Sequence, residues 1–416
     1  MPVGECADSQ GPSPVSFKCD WIIRSSRIWD GVGSQYFDGE LSVRAGTIGQ
    51  VSVGGMVERD GEETVLEVGD AVVCPALIDC HVHLVWSGSG DPVSVVNADG
   101  EQLTTLRAAA NARAQMLGGV QAVRDLGGNW DVPISVAQAV EWGCLEGPRV
   151  IAAGRTVIMT GGHDNFWGIE SDGVSAAVAA VRRQWKRGAG VIKVAASGGV
   201  YGRALNEVAG QAELTVDELR SIVAEAHRLG LRVAAHAVGE AGIENAVLAG
   251  VDTVEHGAYL TEDICRRMKE QGTYLCPTAL VYQRMARGGG GIPQYATDKA
   301  AAVVRAQQKS IEMALGWGIP IVAGTDAGSC GMPHPSLVDE VATLARMGLG
   351  PMDALRAATS RAADAIGSPD VAGVLRPGAQ ANLIVVDGDP LQHVMELQNL
   401  VYVMHAGKIV VANAPL

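Results

Sequence analysis

The sequence predicts a (β/α)8 TIM barrel joined to a small β-sandwich that the two ends of the chain build together. Eight short apolar runs alternate with eight helix-like segments through the middle of the chain, a pattern typical of a parallel sheet covered by helices. The two ends instead carry short β-like runs separated by turns. With 416 residues and 47% hydrophobic content, the chain is long enough for one large core and a smaller unit.

The eight apolar runs are the predicted barrel strands. They are rich in Val, Ile and Ala, as expected for strands that are buried on both faces of a parallel sheet. The predicted strands are residues 72–83, 120–126, 149–153, 191–196, 232–237, 253–256, 273–278 and 319–325.

The segments between these strands predict the barrel helices. They cover residues 101–117, 132–142, 172–187, 215–229, 241–248, 262–271, 298–317 and 337–346. The fourth begins with Thr215 followed three residues later by Glu218, the spacing of a capping box. The glycine run 288–291, with Pro293 close behind, predicts a flexible loop after the seventh strand that would serve as a lid.

The two ends of the chain predict a separate β unit. Short β-like runs cover residues 21–28, 40–43 and 64–68 near the N-terminus, and 382–386 and 401–411 near the C-terminus. Because both ends have the same character, we expect residues 1–72 and 367–416 to form the sandwich, with the barrel, residues 73–366, inserted between them.

Composition limits the partners and the location of the protein. The formal net charge of −14 repels nucleic acid and anionic membrane surfaces, so neither is expected as a partner. No apolar stretch reaches the roughly 18 residues of a membrane-spanning helix, and the first 16 residues lack the basic start and apolar core of a signal peptide. Eight cysteines without a CxxC pair favour a reducing compartment, which predicts a cytoplasmic location.

Polar residues stand at the ends of several of the predicted strands. His81 and His83 end the first strand at positions i and i+2, which point to the same face and can supply two nitrogen ligands to a metal ion. The fifth, sixth and eighth strands end in His236, His256 and Asp326. A single histidine at a strand end is more often structural than a ligand. The strand ends of a barrel meet at one rim, however, so the combination predicts a metal site.

Lys193 lies inside the apolar run of the predicted fourth strand. A buried, unpaired ammonium group costs much free energy, and near a metal ion it would also repel the cation. The lysine is therefore expected to be paired or chemically altered. A carbamate formed with CO2 would turn it into a carboxylate that can bridge two metal ions.

These residues together resemble the binuclear metal site of the amidohydrolase superfamily, and the resemblance covers nearly the whole chain. Residues 118–127 resemble the second-strand segment of that superfamily, and residues 373–387 resemble the return into its terminal β-sandwich. The resemblance implies one buried ion, one outer ion, and a carbamate on Lys193 that bridges them together with a hydroxide. The implied ligands are His81, His83 and Asp326 for the buried ion, and His236 and His256 for the outer ion.

The implied reaction is hydrolysis. Metal binding lowers the pKa of water from about 15.7 towards about 7, and the outer ion would polarise the scissile carbonyl. Asp326 would accept the proton of the attacking hydroxide and deliver it to the departing nitrogen. Zinc is the expected ion because the ligands are rich in imidazole, although other divalent ions also suit such a site.

Two loops resemble the imidazolonepropionase-related branch of the superfamily, which includes dipeptidases and carboxypeptidase-like enzymes that cleave an amide next to a free carboxylate. These loops are residues 159–163 and 197–201. The resemblance implies that His163 and Tyr201 contact the tetrahedral intermediate or the substrate carboxylate. Arg155 and Arg203 are further candidates for binding the carboxylate, since arginine offers a bidentate fork. Alternatively, Arg155 pairs with an acidic neighbour and Arg203 is a solvated loop charge.

Aromatic residues make up only 4% of the chain, yet several follow predicted strands directly. Trp86 and Tyr282 are expected to line the mouth of the barrel with Tyr201, and His334 is expected beside them after the eighth strand. Such a wall favours a hydrophobic or aromatic substrate portion. Alternatively, some of these rings only pack the loops together.

The predicted function is metal-dependent hydrolysis of a C–N amide bond in a small molecule. The expected substrate is a dipeptide or an N-acyl amino acid with a free carboxylate, or an aromatic xenobiotic amide. Hydrolysis of a cyclic amide or carbamate and deamination of a ring are alternatives. A barrel that has lost catalysis and serves as a binding subunit is another, although such a subunit has no physical need for the full ligand set. A homo-oligomer is the expected assembly.

Overall fold

The structure, a computed structural model, describes residues 20–59, 61, 63–202 and 207–414. Its strands are β1 (Trp21–Ile28), β2 (Phe37–Arg44), β3 (Thr47–Val53), β4 (Thr64–Glu67), β5 (Val72–Pro75), β6 (Leu77–Val82), β7 (Val120–Asp125), β8 (Arg149–Ala152), β9 (Val157–Ile158), β10 (Ile169–Glu170), β11 (Val191–Ala195), β12 (Arg232–Ala237), β13 (Thr253–His256), β14 (Tyr274–Cys276), β15 (Leu383–Val386), β16 (Leu400–His405) and β17 (Lys408–Ala412).

The helices lie mainly between the parallel strands. They are α1 (Pro92–Leu117), α2 (Val132–Glu141), α3 (Val174–Arg187), α4 (Val216–Arg228), α5 (Glu240–Ala249), α6 (Glu262–Gln271), α7 (Ala279–Arg287), α8 (Gln294–Trp317), α9 (Leu337–Leu344), α10 (Gly350–Ala357) and α11 (Ser360–Ile366). Among the described helices, none combines the length and the apolar character that crossing a membrane requires.

The predicted TIM barrel is confirmed. Strands β6, β7 and β8 pair in parallel, and β11, β12, β13 and β14 form a second parallel run. The Gly190 N–H donates to Ala152 O at 2.9 Å and links the two runs. On the other side, residues 321–327 bridge β14 at Ile321 and β6 at Ala327 and so complete the ring.

The eighth barrel position differs from the prediction of a regular strand over residues 319–325. The segment makes only isolated bridges, and its N–H groups alternate between partners: Val322 donates to Leu275 O at 2.9 Å, whereas Ala323 donates to Ala357 O at 2.8 Å. The segment therefore closes the barrel without a continuous ladder to either neighbour.

The single strand predicted over residues 72–83 is wrong, because two strands occupy this range. β5 pairs with β1 and β15 in the terminal sheet, while β6 pairs with β7 in the barrel. The change occurs at Ala76, whose N–H donates to Asn382 O at 3.1 Å, whereas the next N–H, that of Leu77, donates to Gly119 O at 2.9 Å. The apolar run continues through the change because both strands are buried.

Both ends of the chain contribute to one β unit, as expected. Its strand order is β17-β16-β15-β5-β1-β2-β3, with β4 also paired to β1, and it encloses an apolar core of its own. The segment predicted as one β run over 401–411 is the hairpin β16–β17, whose turn at Ala406 and Gly407 has φ angles of 47° and 77°. The boundaries at 72/73 and 366/367 stay predictions.

Helix α7 was not predicted, and it places side chains at the mouth of the barrel. Its first N–H groups, those of Ala279 and Leu280, donate to the buried carboxylate of Glu340 at 2.9 and 2.7 Å. The capping box at α4 forms as predicted: Glu218 N–H donates to Thr215 Oγ1 at 3.4 Å, and Thr215 N–H donates to Glu218 Oε2 at 2.9 Å.

Candidate active site

The six predicted metal ligands lie around one cavity at the carboxyl ends of the barrel strands. They come from five separate segments of the chain, and the fold brings them together because parallel strands end at the same rim. All six are buried, with at most 8% of any residue exposed. The lining of this cavity includes His81, His83, Lys193, His236, His256 and Asp326.

His81, His83 and Asp326 form the tightest group of the site. One potential ligand atom from each lies within 4.8 Å of the other two. Asp326 Oδ1 is 3.3 Å from His83 Nε2 and 3.8 Å from His81 Nε2. Burial acts to raise the pKa of Asp326, but the His83 hydrogen bond and the neighbouring imidazoles outweigh it and hold the pKa below its ordinary value. The group therefore offers two imidazole nitrogens and a carboxylate.

His236 and His256 face this group from β12 and β13. Their ring centroids are 4.6 Å apart, and the His256 ring is 5.2 Å from that of His81. His256 Nδ1 is 2.7 Å from Thr278 Oγ1, which leaves Nε2 for a ligand. His236 Nε2 is buried and has no hydrogen-bond partner among the described residues, and such an atom costs about 1–3 kcal/mol if it stays unsatisfied.

Lys193, on β11, lines the same cavity as the histidines and has 2% of its surface exposed. Within the described part of the chain it makes no hydrogen bond or ion pair at Nζ. Burial lowers the pKa of its amine below the ordinary value, which favours the neutral form. An amine reacts with CO2 in this neutral form, so the surroundings of Lys193 fit a carbamate.

A buried ion pair behind the ligands was missed by the sequence analysis. His81 Nδ1 is 2.8 Å from Glu255 Oε2, and Arg124 donates to the other oxygen of Glu255 at 2.7 Å. This contact orients His81 so that Nε2 points to the cavity. The sequence does contain a pattern that indicates this pair. Arg124 and Glu255 are charged residues inside apolar strand runs, where a charge needs a partner.

His163 stacks on His236, with ring centroids 4.0 Å apart. Its Nδ1 is 2.7 Å from Glu207 Oε1, and its Nε2 is 3.4 Å from Asp164 Oδ1. Burial opposes protonation, but the two carboxylates outweigh it and raise the pKa of His163 to about 9. The two carboxylates therefore favour the protonated form of His163. The sequence analysis did not identify Asp164 or Glu207.

Aromatic residues line the cavity as the sequence analysis expected. The Trp86 ring is 4.8 Å from the His83 ring and 6.1 Å from that of Tyr201, while Tyr282 lies 5.4 Å from His256. The Tyr201 hydroxyl donates to Asp91 Oδ1 at 2.5 Å. Trp86, Tyr201 and Tyr282 all line the cavity.

Two predicted substrate contacts, Arg155 and His334, are not brought into the described cavity wall. Arg155 donates to the carbonyl oxygens of Trp167 and Gly168 at 2.6 and 2.8 Å, so its guanidinium binds a loop backbone rather than an acidic neighbour. His334 lies behind the cavity, with Nε2 3.3 Å from His83 O. Arg203 lies outside the described residues.

The chain belongs to the amidohydrolase family, whose sequence profile matches residues 72–410. It is 31% identical over 370 residues to ochratoxinase of Aspergillus niger, which covers 81% of this chain and 74% of that protein. It is 25% identical over 392 residues to imidazolonepropionase of Geobacillus thermodenitrificans, covering 85% and 84% of the two chains.

Among solved structures, the chain is similar to a Xaa-Pro dipeptidase with methionine bound in the active site. The TM-score is 0.85 with 27% identity, and the match covers 94% of this chain and 99% of that one. The protein is therefore a hydrolase that acts on C–N bonds, and its resemblance to the imidazolonepropionase-related, dipeptidase-like branch is confirmed.

Proposed function

We propose that this enzyme hydrolyses the amide bond of a dipeptide or an N-acyl amino acid with a free carboxylate, with the help of two divalent metal ions. The observation that carries this proposal is the set of six ligand-type side chains around one cavity, in which His236 Nε2 has no partner among the described residues. A barrel without a metal site has no physical need for such a buried, unsatisfied set.

The donor set fits two ions. His81, His83 and Asp326 would hold one ion, and His236 and His256 the other, with Lys193 as a carbamate between them. Zinc is the proposed ion because four of these residues are imidazoles. When bound, the ions would supply hydroxide near neutral pH and Lewis-acid polarisation of the substrate carbonyl.

Asp326 is the proposed proton carrier. It is held ionised at the cavity floor, and its Oδ1 accepts a hydrogen bond from Ser329 Oγ at 2.8 Å, which fixes the orientation of the carboxylate. A carboxylate in this position would accept a proton from the attacking water and pass it to the departing nitrogen.

His163 and Tyr201 are the proposed substrate contacts opposite this carboxylate. The imidazolium of His163 places positive charge where the carbonyl oxygen develops negative charge during attack. Tyr201 is oriented by its hydrogen bond to Asp91 and would position the substrate from the facing loop.

The aromatic wall supports an aromatic group on the substrate, and an aromatic xenobiotic amide is therefore a proposed substrate as well. Trp86 and Tyr282 offer ring surfaces at the cavity, and buried aromatic faces bind flat apolar groups. The similarity to ochratoxinase and to a dipeptidase that holds methionine supports the same substrate range.

We also propose that the protein is cytoplasmic and forms a homo-oligomer. Localisation in cells would test the first point, and light scattering of the purified protein would test the second.

The test is a substrate panel with the zinc-loaded enzyme. Dipeptides and N-acetyl and N-benzoyl amino acids should be hydrolysed, and the His236→Ala variant should lose this activity. Lactams, cyclic carbamates and ring amines form the competing arm of the panel. If the enzyme converted only these compounds and no dipeptide or N-acyl amino acid, the proposal would be contradicted. If it bound compounds of the panel but converted none of them, an inert binding subunit would be favoured.

A further inference from the structure

The indole N–H of Trp86 is a buried donor without an acceptor. Only 4% of Trp86 is exposed, and Nε1 has no hydrogen-bond partner among the described residues. Two other buried indoles have acceptors: Trp29 Nε1 donates to Gly33 O at 2.9 Å, and Trp167 Nε1 donates to Thr156 Oγ1 at 3.1 Å. Because an unsatisfied buried donor destabilises the fold, its presence in a binding cavity indicates a ligand acceptor.

The position of Trp86 is fixed by its neighbours. Its ring lies 4.5 Å from that of Trp167 and 4.8 Å from that of His83, and it follows His83 by three residues in the same loop. Trp86 lines the cavity, whereas Trp167 packs behind it and is not part of the lining. The indole is therefore held by a stack of rings beside His83, at the wall of the cavity.

Most other hydrogen-bond donors in the cavity wall already have an acceptor. Ser329 Oγ donates to Asp326, the Tyr201 hydroxyl donates to Asp91, and His163 has carboxylates at both ring nitrogens. The contacts proposed above for His163 and Tyr201 therefore act through charge and ring surface rather than through a free N–H or O–H. The metal-ligand histidines and Lys193 are assigned to the ions in the proposed function. Among the described lining residues, the Trp86 N–H and the Tyr282 hydroxyl remain. Tyr282 lies next to His256, on the side where the scissile carbonyl would be polarised.

We propose that the Trp86 N–H binds a carboxylate oxygen of the substrate and makes the enzyme selective for amides of amino acids with a free carboxyl group. This inference rests on the proposed function, because it assigns one end of the proposed substrate. No arginine lines the described cavity wall, so the carboxylate must find other donors there. A hydrogen bond to a charged acceptor is stronger than one to a neutral acceptor. A single N–H can therefore favour a substrate with a free carboxylate over the corresponding neutral carboxamide.

The test compares an N-benzoyl amino acid with its carboxamide derivative as substrates for wild type and Trp86→Phe. Wild type should prefer the free acid. The Trp86→Phe variant should lose about 10- to 100-fold in kcat/KM on the acid, mainly through KM, and little on the carboxamide. The ratio of the two rates is the readout, because a general loss of folding lowers both rates equally.

Three further variants make the outcome decisive. Replacing Trp86 by 3-benzothienylalanine keeps the ring shape without the N–H and should reproduce the lost preference. Trp167→Phe removes an N–H that already has an acceptor and should keep the acid-to-carboxamide ratio. Tyr282→Phe should lower both rates together.

An unchanged ratio in both Trp86 variants would overturn the inference, as would a loss of acid preference only in Arg203→Gln. Neither result would affect the proposed function, which fails only if the wild-type enzyme hydrolyses neither substrate nor any dipeptide.

Discussion

At the residue scale, two buried groups define the site: His236 Nε2, which has no hydrogen-bond partner among the described residues, and the amine of Lys193. Both lie in a cavity lined by further histidines and a carboxylate. A protein interior normally pairs its polar atoms, so atoms left unpaired in such a cluster are best explained by an absent ligand. The same reasoning applies to the Trp86 N–H on the cavity wall.

Lys193→Ala should remove most of the bound metal and lower kcat/KM by at least about 100-fold, because the bridging carboxylate is lost while the cavity remains. Short carboxylic acids such as acetate or propionate should restore part of the metal content and part of the activity. Metal analysis and initial rates measure both effects. Lys408→Ala, which changes an exposed lysine on β17 far from the cavity residues in the fold, is the matched control. Unchanged turnover in Lys193→Ala would rule out the bridge.

Asp326→Asn should slow hydrolysis by about 100- to 10,000-fold, because an amide cannot carry the proton that general acid–base catalysis requires. Metal content should fall much less, since the histidines and Lys193 remain. The comparison of metal content with kcat in the same preparation separates the two roles. A near-normal kcat would remove Asp326 from proton transfer.

The sequence predicted that six polar residues would meet at one rim, because five of them end apolar runs and Lys193 lies inside one; all six line the same cavity. It did less well for the substrate contacts. The Arg155 guanidinium donates its hydrogen bonds to loop carbonyls, and His334 lies behind His83. Loop conformation decides both outcomes, and no local sequence pattern encodes it. Glu207, far from His163 in sequence, became a partner for the same reason.

At the element scale, the barrel was predictable because hydrophobic periodicity marks buried parallel strands and their helices. The errors occur where an element changes partner. The apolar run 72–83 has the pattern of one strand but forms two strands, one in the terminal sheet and one in the barrel, and the change occurs at Ala76. The eighth barrel segment lacks a regular ladder because its N–H groups bond to β14 on one side and to residue Ala357 on the other.

Three barrel strands are tied together by Arg124 on β7, Glu255 on β13 and His81 on β6. Arg124→Met should cost about 3–5 kcal/mol in unfolding free energy, because it leaves the buried Glu255 carboxylate without its cation. Denaturant unfolding measures this change. The double variant Arg124→Met/Glu255→Gln should recover part of the lost unfolding free energy, because it no longer buries an unpaired carboxylate.

The control for this element is the exposed pair Arg266–Glu270 on α6, whose loss by Arg266→Met should change stability little. If Arg124→Met proved as mild as Arg266→Met, the buried pair would not support the barrel as described.

At the scale of the whole molecule, the described apolar residues form two clusters mainly in the barrel and a separate one in the terminal β unit. The barrel core holds the strand ends in place, and the terminal β unit packs its own apolar residues between β strands from both ends of the chain. The closed barrel collects residues from positions 81 to 326 around one cavity. This long-range convergence makes the function a property of the fold rather than of any single motif.

The metal content of the wild-type enzyme tests the central claim most directly. Protein prepared with zinc and bicarbonate, then freed of loose metal, should hold about two zinc ions per chain by elemental analysis. Lys193→Ala, treated in the same way, should hold clearly fewer. A wild-type content below about one ion per chain would contradict a two-metal hydrolase and, with it, the mechanism proposed here.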